Sequence, residues 1–186
     1  AEGCDNRCTY CIIPSLRGEY RSKPLNYVLD EAKNLARQGF KELILVAQDI
    51  TRYGQDSNGQ YDLNLLLREL CKIEGVKWIR LLYAYPDRIT KELINTIATE
   101  DKICKYLDIP IQHISQKILT SMNRTSNSSD IVRLVKYIRE KIPAIVLRTS
   151  LIVGFPGESE EDFKELEDFL EEGYFDHVGI FTYSRE

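Results

Sequence analysis

Ala144-Ile-Val-Leu-Arg-Thr-Ser-Leu-Ile-Val153, then Gly154-Phe-Pro-Gly157, then Phe163, Leu166 and Leu170 at helical spacing, is the stretch that decides the fold. A nearly continuous β-branched run is a strand covered on both faces, and a helix directly behind it is the natural cover. Gly154 to Gly157 lacks the Lys-Ser/Thr and glycine spacing of a phosphate loop, so it reads as a turn into that helix. Ser159, three residues before Asp162, is the expected cap. Working outward, further β-type runs cover residues 42–47, 77–83, 106–111 and 177–182. Between them lie helical stripes at Val28, Ala32, Leu35 and Ala36, at Leu63, Leu66, Leu67 and Leu70, at Leu93, Ile94 and Ile97, and at Ile131, Leu134, Val135 and Ile138. Strict alternation of strand and helix predicts an α/β fold: parallel strands with outer helices, as a partial (β/α) TIM-like barrel. Arg80, Asp108, Arg148 and Ser150 fall inside the strands, which fits either an interior that is not wholly dry or a few buried ion pairs.

The bulk composition agrees. The chain has 186 residues, 43% hydrophobic and 29% charged, enough for one sizeable core, so a single domain over residues 1–186 is expected. Its longest apolar runs fall far short of the roughly 20 residues that span a bilayer, and no basic apolar leader opens it. A cytoplasmic location with no membrane partner is the default expectation. The net charge of -4 argues against a chain whose whole surface binds nucleic acid. Residues 1–3 leave no room for a strand before the first helix, and the last strand has no helix behind it, so flanking sequence is expected at both ends. Gln55 to Asp62 reads as a surface loop, and the Asn-x-Ser/Thr matches at Asn123 and Asn127 read as a polar loop.

Of five cysteines, Cys71 and Cys104 lie alone in apolar contexts, whereas Cys4, Cys8 and Cys11 crowd the first eleven residues. That odd, clustered set is not a disulfide framework. Soft thiolates select zinc or an iron-sulfur cluster, and three of them leave one position of a cubane unfilled. Two other readings stand beside this. Positions 4, 8 and 11 also fall on one helical face, against which Gly3, Asp5, Asn6 and Pro14 weigh as turn formers. Structural zinc wants four protein ligands, and His113 is distant and without a partner at ligand spacing.

Cys4-x-x-x-Cys8-x-x-Cys11 followed by an α/β barrel pattern resembles the radical S-adenosylmethionine superfamily. The resemblance implies a 4Fe-4S cluster on Cys4, Cys8 and Cys11, whose fourth iron is chelated by S-adenosylmethionine, and an electron transfer that yields a 5'-deoxyadenosyl radical. It places Tyr10 near the adenine. Gln48 and Asp49 stand where the superfamily has a Gly-Gly-Glu-like segment near the cofactor's ammonium, with a helix-opening turn as the equal alternative for Asp49. Gln112 is implied for the ribose hydroxyls, and His113 as a proton donor or a polar strand cap. Arg148 is implied to pair with a carboxylate, Asp108 being an equally good partner. Ile152 belongs to the adenine-contacting strand, and Phe181 offers either a stacking surface or core packing.

Asp5 to Gly18 and Ile152 to Glu158 resemble the methylthiotransferase branch, which inserts sulfur at an unactivated carbon and adds a methyl group. Ala47-Gln-Asp-Ile50, Tyr83 to Thr90 and Tyr106 to His113 resemble its RimO-type members, which act on the β-carbon of an aspartate in a small-subunit ribosomal protein; the transfer RNA branch reads Gly-Gln-Asn-Val at the first of these. The resemblance further implies a second 4Fe-4S cluster on an N-terminal domain, a C-terminal β-barrel domain, and sulfur and electron donors from outside. On this reading the 186 residues bind one cluster and the cofactor without completing turnover. Transfer RNA modification and a zinc-stabilised binding module are the alternatives.

Overall fold

In the computed structural model, which describes residues 1–185, five parallel strands form one sheet in the order β1 to β5. The strands are β1 Glu42–Leu45, β2 Trp78–Leu81, β3 Ile103–Asp108, β4 Val146–Val153 and β5 His177–Thr182. The helices are α1 Ile13–Arg17, α2 Leu25–Arg37, α3 Leu63–Cys71, α4 Lys91–Thr99, α5 Gln116–Ser121, α6 Ser128–Lys141 and α7 Glu160–Glu171. This is the expected α/β partial barrel. Among the described residues no helix is long and apolar enough to cross a membrane.

One sheet face carries Leu43, Ile79, Leu81, Ile103, Leu107, Leu147 and Leu151, all buried beneath the helices. Leu67, Leu70, Ile94, Ile97, Ile131, Val135 and Ile138 meet them from α3, α4 and α6, as periodicity predicts. On α7 the stripe packed on the core is Leu166, Phe169 and the partly buried Leu170; Phe163, expected in it, is exposed because it lies on the first turn, beyond the sheet-facing side. The opposite face carries the polar strand residues. There Arg80 Nε donates to Glu42 at 2.7 Å and Arg148 donates to Asp108 at 2.8 Å, while Ser150 also receives the Arg148 guanidinium at 3.2 Å. The face is polar, and its charges are paired, but of the four charged groups only Asp108 is buried, so these are not the buried ion pairs of the second reading.

Boundaries moved where backbone chemistry overrides apolarity. β3 begins earlier and ends at Asp108, because Pro110 has no N–H for the ladder; residues 109–112 continue beside β4 irregularly, with Ile109 N–H on Arg148, Gln112 N–H on Ser150, Ile152 N–H on Gln112 and the Thr149 hydroxyl between Ile109 and Ile111. β1 and β2 stop short of Ala47 and Tyr83, the latter turning at φ 61°. At five and six residues, α1 and α5 are too short to carry a periodic signal. The segment 55–62 is more built than a plain surface loop: Ser57 is buried with its hydroxyl on the Gly54 and Tyr61 carbonyls, and Asp56 accepts the Ser22 amide. Asn127 caps α6.

Ser159 opens α7 in a full capping box with Asp162, whose carboxylate also takes the Ser115 hydroxyl and the Lys117 ammonium at 2.6 Å each. Lys117 and Ser115 hold that carboxyl well below its usual range. Ser159→Ala should cost about 1 kcal/mol, read as a loss of roughly 2–4 °C in Tm. An unchanged Tm would mean that Asp162 alone satisfies the helix end.

Candidate functional site

The carboxyl ends of parallel strands meet at one rim, and loops there are free to carry chemistry. The first eleven residues lie across this rim as an extended loop rather than a helix, which removes the helical-face reading of the cysteines. Its shape is fixed at several points. The Cys4 amide donates to the Gly18 carbonyl and the Cys11 amide to the Cys8 carbonyl, a tight turn between two of the thiols. Gly3 adopts φ 75°, and a Cβ there would lie 2.0 Å from the Glu19 carbonyl oxygen, so no side chain fits beside Cys4. Asp5 accepts the Tyr20 amide. On the far side, Thr9 donates to the Met122 and Ser121 carbonyls, and Asn123 donates to Arg7.

The loop roofs a cavity of about 310 Å³, lined by Cys4, Cys8, Cys11, Asn6, Tyr10, Ile13, Gln48, Tyr83, Tyr85, Pro110, Gln112, Arg124 and Ser150. Six of the residues singled out from sequence are thus together: the three cysteines, Tyr10, Gln48 and Gln112. Burial pushes the Cys4 thiol up, so deprotonation there needs a compensating cation. Burial likewise raises Tyr10 and Tyr85, which stand as neutral phenols on the wall. Gln112 and Tyr83 have φ of 73° and 61°; left-handed backbone at two non-glycine wall residues is stored strain of the kind that gathers at binding sites.

The other four do not line the cavity. Asp49 is fully buried behind it and accepts from the Thr51 amide and hydroxyl, Arg88 and Asn6, as the cap of a short 3₁₀ turn at Ile50–Arg52. The turn alternative is therefore what its geometry displays. Arg148 is engaged by Asp108, the structural partner foreseen for it. Ile152 packs with Ile118, Met122 and Phe155 in a small satellite core that Tyr10 also touches. Phe181, at 56% exposure, is on the free edge of β5, so core packing does not describe it.

His113 is fully buried; its Nδ1 accepts the Ser115 amide, which leaves the proton on Nε2, 3.5 Å from Glu158. That separation is too long for a good hydrogen bond, and Nε2 has no hydrogen-bond partner. Burial lowers the His113 pKa below 6.5, against the opposing pull of Glu158. The folded chain thus binds fewer protons than the unfolded chain once pH falls below about 6.5. Stability should drop as pH falls from there toward the folded pKa. His113→Gln should flatten the loss of Tm between about pH 7 and pH 5.5, and an unaltered slope would assign the loss to other groups.

Asn6, Ile13, Tyr83, Tyr85, Pro110, Arg124 and Ser150 complete the wall and were not among the site residues expected from sequence. Arg124 is the most informative. It is 8% exposed, donates to the Pro110 carbonyl at 2.7 Å, and lies 4.0 Å from the centre of the Tyr85 ring. Burial opposes its charge, but Tyr10, Tyr85 and Cys8 more than offset that, and its Nε is buried without a hydrogen-bond partner. The cavity wall therefore contains a permanent cation, its unpaired Nε buried in the protein. Among the described residues no three His, Cys, Asp or Glu are grouped as ligands of a single ion; a cubane asks for a different arrangement, one thiolate to each of three irons.

Residues 1–170 match the family model described as the radical SAM superfamily. The chain belongs to that superfamily, in which a 4Fe-4S cluster and S-adenosylmethionine work together. Among curated relatives, it is 61% identical over 186 residues to the ribosomal protein uS12 methylthiotransferase RimO of Geobacter sulfurreducens and 58% identical to that of Clostridium perfringens. It spans 42% of the length of each. Two solved structures share the fold. The radical S-adenosylmethionine methyltransferase TsrM of Kitasatospora setae, with cobalamin and a [4Fe-4S] cluster bound, superposes with a TM-score of 0.78 at 21% identity, over 97% of this chain and 35% of that one. Coproporphyrinogen III oxidase HemN of Escherichia coli, a radical SAM enzyme, gives 0.66 at 17% identity, over 99% and 43%.

Proposed function

We propose that this chain is the radical core of a methylthiotransferase that modifies the β-carbon of an aspartate in ribosomal protein uS12. The observation that carries the reading is the union, in one cavity, of three loop thiols with a buried guanidinium. The donor set fits both groups. Three thiolates hold a cubane and leave one iron for a small ligand. Arg124 suits the carboxylate of a bound methionine moiety, Gln48 and Gln112 supply polar contacts to its ammonium and ribose, and the Tyr10 ring suits the adenine. Arg148, Ile152 and Phe181 stand outside the cavity wall, so any contact they make to the cofactor is peripheral.

When bound, the cluster and S-adenosylmethionine supply one-electron cleavage of a carbon–sulfur bond. The protein's share is position and dryness: Arg124 and Gln112 orient the cofactor, and Ile13, Pro110 and the tyrosines keep water from the reacting carbon. The specific substrate is supported by relatives at 55–61% identity that carry the RimO name. Since the chain spans 42% of their length, the same proposal assigns to flanking domains a second 4Fe-4S cluster, docking of the ribosomal protein and entry of the sulfur and electron donors. A cytoplasmic location follows from a ribosomal substrate.

Anaerobic reconstitution with iron and sulfide, followed by reductive cleavage of S-adenosylmethionine to 5'-deoxyadenosine, tests the radical core. Failure of both would end the reading. Mass spectrometry of uS12 and of transfer RNA, after expression of the longer gene product, tests the substrate. A methylthio mark on transfer RNA alone would transfer the assignment to that branch.

A further inference from the structure

Asp49 occupies the place from which a carboxylate would be expected to reach the cofactor, yet it faces the protein. Its oxygens receive the Thr51 amide at 3.1 Å, Arg88 at 3.2 Å and Asn6 at 3.4 Å, with the Arg52 Nε 3.6 Å away and the Thr51 hydroxyl in contact. Arg52 then reaches on to Asp5 at 2.8 Å and to the Asn6 side-chain Oδ1 at 3.2 Å. Asp5 and Asn6 directly follow Cys4 and lead to Cys8. One buried anion, shared by two guanidinium groups, thus runs as a strut from the end of β1 into the segment that spaces two of the thiols. A buried carboxylate is tolerable only with such partners, so the strut holds its geometry firmly.

We infer that Asp49 is a positioning residue for the cysteine loop, acting through Arg52 on Asp5 and Asn6, and is not a contact of S-adenosylmethionine. The inference rests on the reading of Cys4, Cys8 and Cys11 as cluster ligands. Outer-shell groups of this kind typically govern metal retention by 10–100-fold.

The test uses the anaerobically reconstituted protein and measures iron loss to a chelator, together with the electron paramagnetic resonance spectrum of the reduced cluster. Asp49→Asn and Arg52→Gln should each release iron at least tenfold faster and broaden the spectrum. Arg52→Lys, which keeps the charge without the fork, should lie between them and the unaltered protein. Asp176→Asn, a change of a carboxylate that binds Arg139 and the Leu147 amide at the opposite end of the sheet, should leave both readouts unmoved. Should Asp49→Asn fail to fold, Arg52→Gln carries the test, since that side chain is 15% exposed and at the solvent margin. The inference is overturned if Asp49→Asn retains iron at the unaltered rate but binds S-adenosylmethionine more weakly while Arg52→Gln does neither. It is also overturned if Asp176→Asn releases iron as fast as the loop variants. An unaltered protein that takes up no cluster overturns the functional reading itself, a separate result.

Discussion

Cys8→Ala should abolish the cluster: iron after anaerobic reconstitution falls from about four atoms per chain to background, and 5'-deoxyadenosine formation goes with it. Cys8 lies between the other two thiols, is buried at 9% exposure, and faces Tyr10 and Arg124. Its carbonyl, which accepts the Cys11 amide, is untouched by the change, so the loop keeps its turn while losing a ligand. Two thiolates do not hold a cubane against water. Cys71→Ala supplies the comparison, because that thiol sits half-buried on α3 and away from the cavity. Full iron content in Cys8→Ala, or equal losses in the two variants, would remove the cysteine loop from the chemistry.

Arg124→Gln should leave the iron in place and weaken S-adenosylmethionine binding by roughly 30-fold or more, the equivalent of about 2 kcal/mol. A guanidinium that is already desolvated gains most of the Coulomb attraction to a carboxylate without further cost. Its orientation is set beforehand by the Pro110 carbonyl and the Tyr85 face, so little freedom is lost on binding. Lysine should recover only part of the affinity, because an ammonium offers no fork to a carboxylate. Anaerobic calorimetry on the reconstituted protein reads the effect, and an unchanged Kd in Arg124→Gln would sink the assignment.

The two residues differ in how visible they are before folding. Cys8 announces itself by spacing alone, since ligand chemistry dictates which residue types crowd together along the chain. Arg124 follows a helix of six residues, Met122 and Asn123, in a run rich in serine and asparagine, and nothing local distinguishes it from a solvated arginine. Its place on the wall arises when α5 docks beneath the Cys8 loop, a long-range event that no local pattern encodes. Strand and helix order were legible because apolar periodicity is a local property, and the shift of β3 shows the limit: Ile109 and Ile111 are fully buried, yet Pro110 ends the ladder. With Asp49 the segment was legible but the direction of the side chain was not. The guanidinium groups that turn it inward, Arg52 and Arg88, come from two different loops.

The long tether between the ends of the cysteine loop and the turn after α5 sets a timetable for biosynthesis. Thr9 is joined to Ser121, and Arg7 to Asn123, across 112 and 116 residues. The thiols therefore leave the ribosome well before their seat exists, and at ~5–20 residues per second the interval is roughly 6 to 23 s. During that time Cys4, Cys8 and Cys11 are open to oxidants and to stray metal ions. If these thiols hold the proposed cluster, a stable seat for iron exists only after a segment that contributes no ligand has appeared.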